Sequence, residues 1–245
     1  MGLRVSAIAH QGETAPELAE VVDQIHWVRI GQLGKVVKAL KGDGVQQAVM
    51  LGGIKKTHLF SDVRPDLLAI ALFSKLKSWK DDGILRAIAD GLEGEGITIR
   101  ESTFGLSNIL VQEGELTNCQ LSKKERADVD YGWAIAKDIG QMDIGQCVVV
   151  KDRVIVAVEA VEGTDEAIRR GGKLAQKGAV VVKRCKPQQD LRFDLPAVGP
   201  RTIEVMGEVQ ASVLAIEAHK TVVLDREEML HKADQFGIAI IGVTT

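Results

Sequence analysis

Short apolar runs alternate with amphipathic ones from Leu3 to Val243, and this rhythm constrains the fold more than any other feature of the chain. Residues 3–9, 25–30, 47–51 and 97–99 read as strands. Residues 14–22 and 31–40 read as helices, the second with Leu33, Val36, Val37 and Leu40 on one face. Pro65 suits a first helical position, and Leu67, Leu68, Ala71, Leu72 and Leu76 follow at helical spacing. A further helix opens at Asp82, carries Ile84, Leu85, Ile88, Ala89 and Leu92, and stops at Gly94 and Gly96. Strand, helix and strand in succession describe a parallel sheet with crossover helices, so the fold class is α/β.

The second half keeps the rhythm with clearer punctuation. Ser122 and Glu125 form a capping-box pattern ahead of a helix running to about Ile139, with Ala127, Tyr131, Ala134 and Ile135 as its apolar stripe. Strands 146–150 and 154–158 flank Lys151-Asp152-Arg153 as a hairpin. Thr164 reads as an N-cap, with Asp165 and Glu166 at the positive end of a helix to about Gln176. Strand 179–184, a helix from Gly199-Pro200, and strands 213–216 and 221–224 follow. A last helix, with Asp225 and Glu228 as a capping-box-like start, ends at Gly237 before strand 238–243. Residues 103–118 read as an irregular link. The expected division is 1–121, a Rossmann-like domain with linker, and 122–245, a C-terminal α/β domain.

Composition removes several function classes. The net charge is -3 and aromatic residues make up 4%, which leaves neither a basic patch nor a stacking platform for nucleic acid. Three scattered cysteines and five scattered histidines match no disulfide framework or zinc spacing. No apolar run approaches the roughly 18 residues of a membrane span. Gly2 and Ser6 match a myristoylation pattern, but Leu3–Ala9 is read as a first buried strand. Nucleophile elbow, Walker A, GxGxxG and HExxH patterns are all missing from the sequence.

Chemistry concentrates at strand exits. Lys186 to Pro200, KPQQDLRFDLPAVGP, reads as an ordered loop in which Asp190 and Asp194 flank Arg192. It is either the reaction site or an exposed polar connector. Glu159, Glu162 and Asp165 stand at a second exit. Carboxylates around one cavity suit Mg²⁺, with Asp190 and Glu162 as the candidate metal ligands. Lys183, Lys186 and Arg192 would add charge against a diphosphate. In the first half, Gly52-Gly53 ends a strand, followed by Lys55 and Lys56, and reads either as a phosphate approach or as an ordinary turn.

The strings DIGQCVVVKDRVIVAVEAVEGTDEAIRRG, VVVKRCKPQQDLRFDLPAVGPRTIE and VLAIEAHKTVVLDREEMLHKAD resemble the LpxI family. HWVRIGQLGKVVKALKGDGVQQAVMLGGI and DDGILRAIADGLEGEGI are similar to its first half. The combination of EGTD with KPxQDxRFDxPxxGP is specific, and the likeness covers most of the chain. It implies a Rossmann-like domain followed by a separate C-terminal domain. It also implies Mg²⁺-dependent hydrolysis of UDP-2,3-diacylglucosamine to UMP and 2,3-diacylglucosamine 1-phosphate in lipid A biosynthesis. The family's essential aspartate falls in QDLRFD, at Asp190 with Asp194 beside it; Gly52, Gly53, Thr164, Asp165, Lys183, Lys186 and Arg192 are the expected substrate contacts. A substrate with acyl tails implies a cytoplasmic protein working at the inner-membrane surface without spanning it, and a homodimer is left open. One departure stands at the N-terminus, where Ile25-His26-Trp27 follows the first strand so early that a helix–strand unit is missing. That departure motivates the alternative of a non-catalytic protein that binds the nucleotide sugar or a lipid phosphate.

Overall fold

The computed structural model describes residues 2–52, 65–74 and 81–244. The chain forms two compact units, divided between Ser102 and Thr103.

In the first unit, β1 (Ser6–His10) and β2 (Gln24–Val28) pair in parallel. Between them lies only a 3-10 turn at Pro16–Glu20, where the sequence suggests a longer helix. Leu3 and Val5 are exposed and β1 starts at Ser6, so the buried first strand is shorter than its apolar run suggests. α1 (Leu33–Gly42) buries Leu33, Val37 and Leu40, and β3 (Gln47–Ala48) follows it. α2 (Leu67–Phe73) and α3 (Asp81–Gly94) lead to β4 (Thr98–Ile99), which pairs in parallel with β3.

Asp66, and not Pro65, sets the start of α2. Its Oδ1 accepts from the Ala69 amide at 3.0 Å. Its Oδ2 accepts from the Gly34 amide at 2.7 Å, so one carboxylate satisfies amides at the N-termini of two helices. At the opposite end of β1 and β2, Asp43 accepts from the Ser6 hydroxyl and pairs with His26 Nε2 at 2.7 Å. Those two contacts, Ser6 first, hold its carboxyl below the usual range.

The second unit is built on a six-stranded sheet ordered β5-β12-β10-β8-β6-β7. β8 (Val180–Lys183), β10 (Val213–Glu217) and β12 (Ala239–Val243) run parallel at its centre. β6 (Cys147–Lys151), β7 (Val154–Val158) and β5 (Gly114–Glu115) join antiparallel on the flanks. Residues 103–121, grouped with the first domain by sequence, supply β5 and the fully buried Val111 to this unit.

Side chains alternate across the sheet with period two. Val148, Val150, Val180, Val182, Val213 and Ala215 face α4 (Lys123–Gln141). Val149, Val181, Leu214 and Ile240 face the other way, toward α5 (Thr164–Ala175), α6 (Pro200–Glu208) and α7 (Arg226–Phe236). With both faces covered, the central strands can be apolar throughout.

The capping box at Ser122 and Glu125 forms as expected. The stripe of α4 does not: Tyr131 and Ala134 are exposed, and the buried face runs through Asp128, Val129, Gly132, Ala136, Ile139 and Gly140. Gly132 is at that face because a Cβ there would stand 2.7 Å from Val150 and 2.8 Å from Val182. Asp225 is in the left-handed region and makes no side-chain cap, so the expected start of α7 is corrected. Its end is as read, with Gly237 left-handed at the C-cap.

Candidate active site

The parallel centre of the second sheet aims the carboxyl ends of β8 and β10 the same way. Ligand-binding loops gather at such ends. Residues 184–199 leave β8 and return through β9 (Ala197–Val198) into α6. Residues 218–225 leave β10 and pass through β11 (Val222–Val223) into α7. β9 and β11 pair in parallel, so the two loops are joined to each other as well as to the sheet.

Within the first loop Asp190 and Arg192 come together. Asp190 Oδ1 accepts from Arg192 Nε at 3.0 Å and Oδ2 from Arg192 Nη2 at 2.9 Å, a two-point pairing. The Asp190 side chain is 18% exposed and that of Arg192 27%. The guanidinium also lies 4.9 Å from the Phe193 ring centre, which orients its plane. The Phe193 and Asp194 amides donate to the Asp190 carbonyl, closing a tight turn from 190 to 194. Asp194 is exposed and accepts from Gln189 Nε2 at 2.6 Å.

The other expected contacts have specific partners. Lys183 is 6% exposed, and its Nζ donates to the Ala197 carbonyl at 2.8 Å, tying the loop's return to the strand it left. Lys186 pairs with Asp143 at 2.8 Å. At the exit of β7, Glu162 pairs with Arg170 at 2.6 Å and accepts from the Ala160 amide. Its own amide, then Arg170, hold its carboxyl low. Thr164 is the first helical residue and not the cap, which is Gly163. Its hydroxyl donates to the buried Glu159 carboxylate at 2.9 Å. Asp165 stands 3.6 Å from Arg201. Gly52 is exposed with φ of 85° in the first unit, and Gly53, Lys55 and Lys56 lie outside the described residues.

A network that the sequence reading did not single out lies under the loop. Glu217, at the tip of β10, is 2% exposed. It accepts from the Cys185 amide at 2.9 Å and from Lys220 at 3.0 Å, with Arg184 Nε at 3.7 Å. Arg184 itself stacks on Trp133 at 5.0 Å. The Cys185 thiol donates to Gln189 Oε1 at 3.1 Å, and burial, then the Glu217 charge, push it up to about 11. The visible signal is the acid that ends the apolar run VLAIE.

For a divalent cation the oxygens decide. Among the described residues no three acidic, histidine or cysteine side chains converge on one point. Mg²⁺ commonly takes only one or two carboxylates and completes its shell with phosphate oxygens and water. Asp190 and Asp194 lie on one turn, but Asp190 is gripped by Arg192 just as Glu162 is by Arg170, so either carboxylate would have to exchange its arginine for the cation.

The layout is that of a two-unit α/β protein with an acid–arginine pair on a loop at the carboxyl ends of parallel strands. Comparison with known proteins gives the lineage. Residues 1–109 match the LpxI N-terminal domain and residues 112–241 the LpxI C-terminal domain, and the chain belongs to the LpxI family. The resemblance carried by EGTD and KPxQDxRFDxPxxGP is thereby borne out. A curated relative is the UDP-2,3-diacylglucosamine pyrophosphatase LpxI of Caulobacter vibrioides. It is 32% identical over 227 residues, which cover 88% of this chain and 81% of that protein.

Proposed function

We propose that this chain is a hydrolase of the lipid A pathway that cleaves the diphosphate of UDP-2,3-diacylglucosamine, releasing UMP and 2,3-diacylglucosamine 1-phosphate. The single observation that carries the reading is the Asp190–Arg192 pair, set on the family's loop at the end of β8. A diphosphate brings oxygens that compete for the Arg192 guanidinium. As Arg192 turns to them, the Asp190 carboxylate is released from that pairing to hold the cation or to orient the attacking water, which gives up its proton to solvent as it attacks. The water oxygen bonds to phosphorus and the bridging P–O bond breaks. Asp190 and Asp194 would hold Mg²⁺, which when bound neutralises phosphate charge and makes its water more acidic. Lys183 supports the loop from below through Ala197, and Lys186 lies at the loop's start.

No described helix is long and apolar enough to cross a membrane. The acyl tails of the proposed substrate, and not that absence, support a further proposal: the substrate is met at the inner-membrane surface from the cytoplasmic side, with a homodimer left open.

Purified protein with Mg²⁺ and UDP-2,3-diacylglucosamine is expected to release UMP, and Asp190→Ala is expected to abolish release. Turnover of the variant at the wild-type rate would remove Asp190 from the reaction. Tight binding of substrate by the wild-type chain without UMP release would instead establish the non-catalytic alternative.

A further inference from the structure

We propose that Glu217 and Gln189 are positioning residues that set the catalytic turn. A buried carboxylate at the tip of β10 holds the start of the β8 loop, and Gln189 passes that register to Asp194. This rests on the diphosphatase reading above.

The argument begins with the cost of Glu217. A carboxylate that is 2% exposed has lost its water, and an apolar residue at the end of β10 would stabilise the sheet at least as well. What an apolar residue lacks is reach into the neighbouring loop. Glu217 takes the Cys185 amide, two residues beyond β8, and balances its charge against Arg184 and Lys220. The contact spans two adjacent parallel strands, so it fixes where the loop departs relative to the sheet.

Gln189 carries the constraint onward. Its Oε1 accepts from both the Cys185 thiol at 3.1 Å and the Lys186 amide at 3.0 Å. Its Nε2 donates to Asp194 Oδ2 at 2.6 Å. An amide held at both ends in this way has one orientation. Asp190 follows it directly in the chain and closes the turn onto the Asp194 amide. The two carboxylates are therefore set by a network whose root is in the neighbouring strand. A site needs its reacting groups held to within about 0.5 Å, which a loop alone does not provide.

The three cysteines supply a readout independent of activity. Cys185 is in the network, Cys147 is fully buried in β6, and Cys119 is partly exposed. Burial pushes the Cys147 thiol up to about 12. Full-length wild type, Glu217→Gln and Gln189→Ala are alkylated in the native state and each cysteine is followed by mass spectrometry. In parallel, UMP release is measured across substrate concentration. Glu217→Gln also removes the charge that, after burial, pushes the Cys185 thiol up, so opening is read from Gln189→Ala. That variant is expected to alkylate Cys185 at least roughly 10-fold faster with Cys147 still protected, as a local opening requires. Both variants are expected to lose about 10- to 100-fold in kcat with KM changed less than about 3-fold, the usual range for outer-shell partners.

Acceleration of Cys147 together with Cys185 would mean general unfolding and would overturn the proposal for Glu217. Gln189→Ala, which removes no buried charge, then decides for the rest of the network. Unchanged Cys185 labelling, or wild-type kcat in a variant whose Cys185 has opened, overturns it. If the wild-type chain releases no UMP, the diphosphatase reading fails while the labelling still decides whether the network holds the turn.

Discussion

Arg192 grips Asp190 through both carboxylate oxygens, a geometry open to a planar guanidinium and not to an ammonium. Arg192→Lys is thus a demanding substitution despite its retained charge. Loss of the second hydrogen bond and of the Phe193 stacking is expected to reduce kcat/KM for UDP-2,3-diacylglucosamine about 10-fold or more, or roughly 1.4 kcal/mol. Steady-state UMP release measures it, and wild-type kcat/KM would show that Arg192 does not meet the phosphates. The sequence pointed to the loop that carries Asp190 and Arg192 but aimed Arg192 at a diphosphate; its two-point grip on Asp190 depends on the tight turn that the loop makes. The Glu217 network was not legible, because Cys185 and Glu217 are 32 positions apart and meet only through the parallel register of β8 and β10.

Local chemistry also decides which elements could be read in advance. The capping box of α4 and the hairpin of β6 and β7 depend on neighbours in sequence, and both form where the residues suggest. The face of α4 depends on what it packs against. Apolar bulk points to Tyr131 and Ala134, but close approach to the sheet selects Gly132 and the small Ala136. Gly132→Ala is expected to destabilise the protein by about 1–3 kcal/mol, since the added methyl forces Val150 or Val182 aside. Thermal unfolding of the purified variant tests this, and an unchanged midpoint would mean that α4 shifts freely. Asp128 is on the same face and accepts from the Asp152 and Arg153 amides at 3.1 and 2.6 Å. Those two turn residues have φ of 54° and 58°, unfavourable for side chains with a Cβ. Asp128→Ala leaves the turn amides without that partner and is expected to cost about 1–3 kcal/mol. Urea unfolding measures it, and a second variant, Arg153→Gly, should recover part of the loss by relieving the turn.

At the scale of the whole molecule, the second unit contains a complete sheet with apolar layers on both faces. A fragment of residues 103–245 is expected to fold alone and unfold cooperatively by circular dichroism. A fragment beginning at Ser122 loses β5 and the wholly buried Val111. It is expected to be less stable by about 2–5 kcal/mol, from the apolar burial and strand pairing removed. Equal stability of the two fragments would show that residues 103–121 contribute little to this unit. Sequence patterning put the division later because residues 103–118 carry no regular periodicity, and a two-residue edge strand leaves almost no trace in composition.

The β9–β11 pairing has a practical consequence for anyone re-engineering this scaffold. Ala197 and Val198 stand in register with Val222 and Val223, and the Val222 and Leu224 amides donate to the Pro196 and Val198 carbonyls. The loops after β8 and β10 are therefore one mechanical part cut from two places in the chain. A segment grafted from another protein after Lys183 would have to bring its matching piece after Glu217, and exchanging either alone should leave the transplant without its hinge-mate.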